Sequence, residues 1–105
     1  MNKLEISEIQ ILPIKPKNGL VAFCSFTINN QFYIGDVAIY NRLNGGYRLV
    51  YPSKILINGR NVSCIHPINK KTGELIEEVI IGKYEDLMKK LRESEVKNER
   101  YQRDS

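Results

Sequence analysis

His66 is the only histidine of the chain and stands directly before Pro67, two residues after Cys64. On a strand that spacing puts a thiol and an imidazole on one face, the arrangement a Cys–His nucleophile and base require. Such a base also needs an orienting third group, and a strand cysteine more often acts as a small hydrophobe. Cys24, the other cysteine, has no thiol near it in the sequence, so neither a disulfide framework nor a thiolate zinc site is indicated. No two-histidine metal spacing, GxxxxGK[ST] loop or GxGxxG loop occurs, and Gly45-Gly46 reads as a turn. The carboxylates from Glu74 to Asp86 share a helical stretch with lysine and read as a solvated face. The expectation is a protein without catalytic residues, metal, cofactor or small-molecule substrate.

Cations are the remaining source of chemistry. Lys and Arg number 16 against 12 acids, for a net charge of +4. The balance is uneven. Residues 15–73 hold eight bases (Lys15, Lys17, Arg42, Arg48, Lys54, Arg60, Lys70, Lys71) against Asp36 alone, a local net of +7. A block of that sign spread over loops suits an anionic partner, and a phosphate backbone rewards each neutralising base by releasing counterions. The plainer reading is a solvated basic surface. Lys54, Arg60, Lys70 and Lys71 are the expected phosphate contacts, with amides at a helix start adding an anion site. Arg48 lies among Tyr33, Tyr40, Tyr47 and Tyr51, which read either as half-buried core or as platforms for stacking bases.

The elements that carry these residues follow from periodicity. One hundred and five residues suffice for one domain, and 42% hydrophobic with 27% charged residues is ordinary globular composition. Ile6, Ile9, Ile11 and Ile14 lie in a first strand, Leu4 to Ile14, closed by Pro13 and Pro16. Leu20, Ala22, Cys24, Phe26 and Ile28 form the core face of a second strand. Turns are expected at Lys17-Asn18-Gly19, Asn29-Asn30, Asn44-Gly45-Gly46 and Asn58-Gly59. In the third strand the apolar parity switches between Ile34 and Val37, which puts a β-bulge at Gly35-Asp36. Short strands at 47–51 and 62–65 follow.

From Leu75 to Leu91 the apolar residues recur at three- and four-residue steps, an amphipathic helix of roughly 20 residues and 30 Å. Asn69 or Thr72 can cap it, and Glu74, Glu77 and Glu78 suit its early turns. Gly82 inside it suggests close packing. The helix is long enough for its apolar stripe to reach a second subunit. Residues 94–105 read as a flexible charged tail. The fold expected is α+β: a single antiparallel sheet of about five strands followed by one long C-terminal helix, dimeric. The acidic, non-apolar start of the chain and the absence of a long apolar run point to a cytoplasmic protein without a membrane partner.

Four strings of the chain, taken in order, resemble the SpoVG family (septation protein, stage V sporulation protein G). They are Phe26-Thr27-Ile28-Asn29-Asn30-Gln31-Phe32, Gly35-Asp36-Val37-Ala38-Ile39, Tyr51-Pro52-Ser53-Lys54 and His66-Pro67-Ile68-Asn69. The resemblance implies a cytoplasmic bacterial homodimer that binds DNA, and in some members RNA, to regulate gene expression, septation or sporulation. It gives a SpoVG-like domain over 1–93. Many members carry a second base after Pro-Ser-Lys, where this chain has Ile55. Many also carry Thr-Arg-Gly-Lys at the helix start, implicated in DNA contact; here Thr72 is followed by Gly73, Glu74 and Leu75, and Lys70 and Lys71 offer the charge one turn earlier. The resemblance thus adds Thr72 to the expected nucleic-acid contacts, and His66 becomes a structural residue of the turn into the helix. The other reading is a dimeric interaction module of cell division whose basic face meets an acidic protein.

Overall fold

Paired residues of positive φ set the hairpins. The computed structural model describes residues 3–103, with side chains described for 3–94. Asn18 and Gly19, at φ of 53° and 87°, join β1 (Ile6–Lys17) to β2 (Leu20–Ile28). Asn29 and Asn30, both at 52°, join β2 to β3 (Phe32–Asn41), and the Gln31 amide donates to the Ile28 carbonyl at 2.9 Å. Positive φ at both central residues matches the right-handed twist of the flanking strands. The Gly45-Gly46 turn leads to β4 (Tyr47–Val50), and the four strands form an antiparallel meander in the order β1-β2-β3-β4.

Irregularities in the ladder aim the side chains. Cys24 pairs with Val37 and Phe26 with Ile34, so β3 carries one residue more than β2 at Gly35-Asp36, and Asp36 has φ 59°. The expected bulge is there. A second one falls at Glu8-Ile9, where Ser7 pairs with Thr27 and Gln10 with Ser25. The first strand does not stop at its prolines. It runs to Lys17, with pairing skipped between Pro13 and Lys17, because β1 is an edge strand where missing amide donors cost little.

The sheet has four strands rather than about five. Pro52 has no amide to extend β4, and the chain leaves the sheet. It forms a separate hairpin of β5 (Ser53–Ile55) and β6 (Asn61–Ser63) across the expected Asn58-Gly59 turn. At its base the Cys64 amide donates to the Pro52 carbonyl at 3.1 Å.

One helix, α1 (Lys70–Arg103), covers one face of the sheet. Ile76, Ile80 and Tyr84, four residues apart, pack with Ala22, Cys24, Phe26, Ile39 and Leu49, all buried. Full burial of a side chain such as Ile80 contributes about 1.5–3 kcal/mol. The helix has 34 residues, about 51 Å at 1.5 Å each. Its backbone continues through 94–103, the stretch expected as a tail. That stretch holds no glycine or proline. A Cβ at Gly82 would meet nothing within 4 Å, so the close packing expected there does not occur within the chain.

Candidate functional site

The helix start is built by Asn69. Its Oδ1 accepts the Thr72 amide at 2.8 Å and its carbonyl accepts the Gly73 amide at 3.2 Å, which makes Asn69 the cap. Lys70, Lys71 and Thr72 are therefore the first three helical residues; the first turn holds no acid, and Glu74, Glu77 and Glu78 fall in the second and third turns. Two ammonium groups at the positive end of the dipole cost roughly 0.3–1 kcal/mol each. A bound anion would reverse that sign. Lys70 Nζ lies 3.8 Å from Glu74 Oε1, but both side chains are largely exposed and such a pair is weak. Lys71 has no carboxylate partner among the described residues.

Lys54 and Arg60 belong to the β5–β6 hairpin. Lys54 pairs with Val62, and the Leu56 amide donates to the Arg60 carbonyl at 2.8 Å, so alternation puts both cations on one hairpin face. The Arg60 amide donates to Asn58 Oδ1 at 3.0 Å, which fixes the tip. Both residues are exposed. Five expected contacts thus occupy consecutive elements, hairpin and helix start, joined by residues 64–69. Arg48 stands apart. It pairs with Tyr40 while Leu49 pairs with buried Ile39, which turns Arg48 to the sheet face away from α1, its guanidinium 5.2 Å from the Tyr40 ring centroid.

The tyrosines divide. Tyr47 stacks edge-on against Tyr84 at 5.0 Å, and Tyr51 packs beside the core. Tyr33 is 72% exposed and Tyr40 half-buried on the outer face. Cys64 and His66 lie beyond the strand, which ends at Ser63, so strand alternation does not set their relative orientation. Cys64 is exposed, and His66 Nδ1 shares a 2.8 Å hydrogen bond with Ser63 Oγ. Glu77 is the residue that reading the sequence as a solvated acidic face missed. Its Oε1 lies 3.6 Å from Arg42 and accepts the Leu49 amide at 3.4 Å, tying α1 to β4 and withdrawing Arg42 from the free cations. A periodic helix gives no signal for such a role.

Beside the helix start, Tyr51, Pro67, Ile68, Lys70 and Gly73 line a cleft of about 430 Å³. The Tyr51 hydroxyl is buried without a hydrogen-bond partner. Burial first, then the Glu77 carboxylate and Cys24, push it up to about 12. An unfolded tyrosine ionises near 10, so the folded form loses stability between about pH 10 and 12 as the unfolded chain deprotonates first. Tyr51→Phe removes an orphaned hydroxyl whose burial costs about 1–3 kcal/mol. Urea denaturation is expected to show the variant at least as stable at pH 7, with a shallower decline above pH 10. A clear loss at pH 7 would mean that the hydroxyl has a partner.

The profile of the SpoVG family matches residues 4–86, which takes in the sheet, the hairpin and the packed half of α1. The chain belongs to the SpoVG family. It is 29% identical over 82 residues to the septation protein SpoVG of Clostridium kluyveri, covering 78% of this chain and 84% of that protein. It is 32% identical over 85 residues to the protein of that name from onion yellows phytoplasma, covering 81% and 85%. With the Acetivibrio thermocellus septation protein SpoVG it shares 30% over 95 residues, 90% of this chain and all of the relative. Within this SpoVG chain, Tyr51-Pro52-Ser53-Lys54 opens the hairpin and His66-Pro67-Ile68-Asn69 ends on the helix cap, so the two strings bracket the cationic arm. Among the described residues no helix is long and apolar enough to cross a membrane.

Proposed function

We propose that this SpoVG protein is a dimeric, cytoplasmic nucleic-acid-binding regulator, acting in the septation for which its relatives are named. It binds DNA, and RNA by the same phosphate chemistry. The observation that carries the reading is where the basic segment sits. Lys54, Arg60, Lys70 and Lys71 are exposed on a hairpin and an adjoining capped helix start, and Lys70–Glu74 is the one ion pair involving them among the described residues. Phosphates contact the four side chains and the free amides of the first helical turn, with Thr72 at its third position. The Ile55 and Gly73-Glu74 departures leave few groups to read base edges, so affinity exceeds sequence preference.

Fluorescence anisotropy with a 20-base-pair duplex and a single-stranded RNA, titrated from 50 to 400 mM KCl, tests this. A dimer engaging about six to eight phosphates lowers log K by roughly 5 to 7 per decade of salt. A flat salt profile would instead favour an interaction module of cell division, a reading that the apolar exposure of Ile57 and Ile68 supports. Partners that survive nuclease treatment in a pull-down would point the same way.

A further inference from the structure

We propose that the sheet face turned away from α1 holds one unpaired guanine of a single strand, stacked on Tyr33 and read by Asp36. This site rests on the nucleic-acid reading above and adds what the hairpin and helix start lack, groups that meet a base edge. Register sets the face. Ser7 pairs with Thr27 and Thr27 with Tyr33, next to the buried pair Phe26 and Ile34, so Tyr33 stands on the outer side. Tyr40 is there too, but the Arg48 guanidinium already lies over its ring. Tyr33 is the outer tyrosine left free, at 72% exposure. Its ring is nevertheless held. A Cβ at Gly35 would come within 2.8 Å of that ring, so the missing side chain is what lets it lie against the strand. An exposed aromatic pinned in this way is a stacking platform with little rotamer entropy left to lose.

A hollow begins at the next residue of β3. Gln10, Leu12, Phe23, Ser25 and Asp36 line about 550 Å³ of open space on the same face. Gln10 pairs with Ser25, and the bulge that gives β3 its extra residue brings Asp36, at φ 59°, into that row. Leu12 pairs with Phe23, and the two supply the apolar side. Asp36 has no cationic partner among the described residues, and it is the only acid between positions 15 and 73. A carboxylate repels phosphate. Its place in this basic segment suits the N–H donors that travel with phosphates, those of a base. Guanine alone presents two such donors side by side, N1–H and the N2 amine, to the two oxygens of a carboxylate. The Gln10 amide and the Ser25 hydroxyl are then free to donate to its O6. Adenine and cytosine offer one amine beside an acceptor that the carboxylate opposes. Pairing engages the same edge of guanine in a duplex, so the site takes an unpaired base.

Fluorescence anisotropy of the full chain tests the assignment, with labelled twelve-nucleotide RNAs of alternating uridine and guanosine or alternating uridine and adenosine. The guanosine strand is expected to bind about ten-fold more tightly than the adenosine strand. Asp36→Asn, whose new side chain tolerates the same positive φ, should bring the two within about two-fold by weakening the guanosine strand alone. Tyr33→Ala should weaken both strands roughly ten-fold, because stacking is tolerant of sequence, and Tyr33→Phe, which keeps the ring, should restore both. Gly35→Ala should act like Tyr33→Ala, since its methyl group displaces the ring. Unchanged circular dichroism spectra separate these losses from misfolding. Equal affinity of the wild type for the two strands, or a preference that survives Asp36→Asn, overturns the proposal. Wild-type affinity in Tyr33→Ala or Gly35→Ala overturns it too. Complete displacement of the guanosine strand by 100 µM guanosine monophosphate would make the hollow a free-nucleotide pocket and overturn the strand. Salt-dependent binding without base preference would defeat the guanine site alone, whereas binding of neither strand would defeat the nucleic-acid reading with it.

Discussion

Replacing Lys54, Lys70 and Lys71 together by alanine is expected to weaken duplex binding at 150 mM salt by about 10³-fold and to flatten the salt slope by about 5. The arithmetic is that of counterion release. Three cations per copy make about six phosphate contacts in a dimer, and each contact contributes about 0.9 to the slope. Misfolding is a poor explanation for such a loss, because Lys70 and Lys71 occupy the first turn, where positive charge opposes the helix dipole. Their removal is expected to raise the melting temperature slightly while affinity falls. Stability and binding moving in opposite directions is the diagnostic. Arg48→Ala serves as the control, since Arg48 lies on the far face of the sheet over Tyr40. It should leave the slope unchanged, where the loss of two phosphate contacts would flatten it by about 1.8. Unchanged affinity in the triple variant, or an equal loss in the Arg48 variant, would remove hairpin and helix start from the proposed site.

Much of this frame was legible in the residues because the turns carry their own chemistry. Asn29, Asn30 and Gly59 have positive φ, and the chain turns at both Asn29-Asn30 and Asn58-Gly59. The switch of apolar parity between Ile34 and Val37 located the Asp36 bulge for the same reason that a one-residue slip turns every later side chain over. The bulge at Glu8-Ile9 was written in the same code. Ile6 and Ile9 differ in parity, yet both pack against the core, which only an extra residue between them allows.

Other features have no local signature. Whether a third hairpin joins a sheet or leaves it depends on what lies beside the edge after Pro52, and strands of three residues carry too little pattern to decide. The far end of α1 lacks apolar periodicity, so its sequence gives no sign of where the helix ends. For the candidate site, the cations could be named from the sequence, but their sorting could not. Arg48 differs from Lys54 only in which face of which sheet it occupies, and Arg42 is removed from the free cations by a glutamate 35 positions away. Those are facts of tertiary register, and they decide which bases a polyanion can reach at once.

Phe26→Ala and Ile57→Ala remove apolar side chains from opposite extremes of exposure, and their expected outcomes separate a packed core from a freely projecting hairpin. Phe26 is the largest fully buried side chain, on inner strand β2 within the cluster formed by sheet and helix, at 0% exposure. Its truncation loses the transfer free energy of the ring and leaves a cavity that β-sheet neighbours fill poorly, a cost of about 3–5 kcal/mol. Against a total of about 5–15 kcal/mol, that loss consumes much of the stability of a chain this size. Urea midpoints should drop accordingly with an unchanged slope. Ile57, at 109% exposure, contributes no buried area within its own copy, so its truncation is expected to shift monomer stability by no more than about 0.5 kcal/mol. If Ile57→Ala instead lowered the midpoint as far as Phe26→Ala, the hairpin would be packed within its own subunit, and the free cationic face on it would not stand.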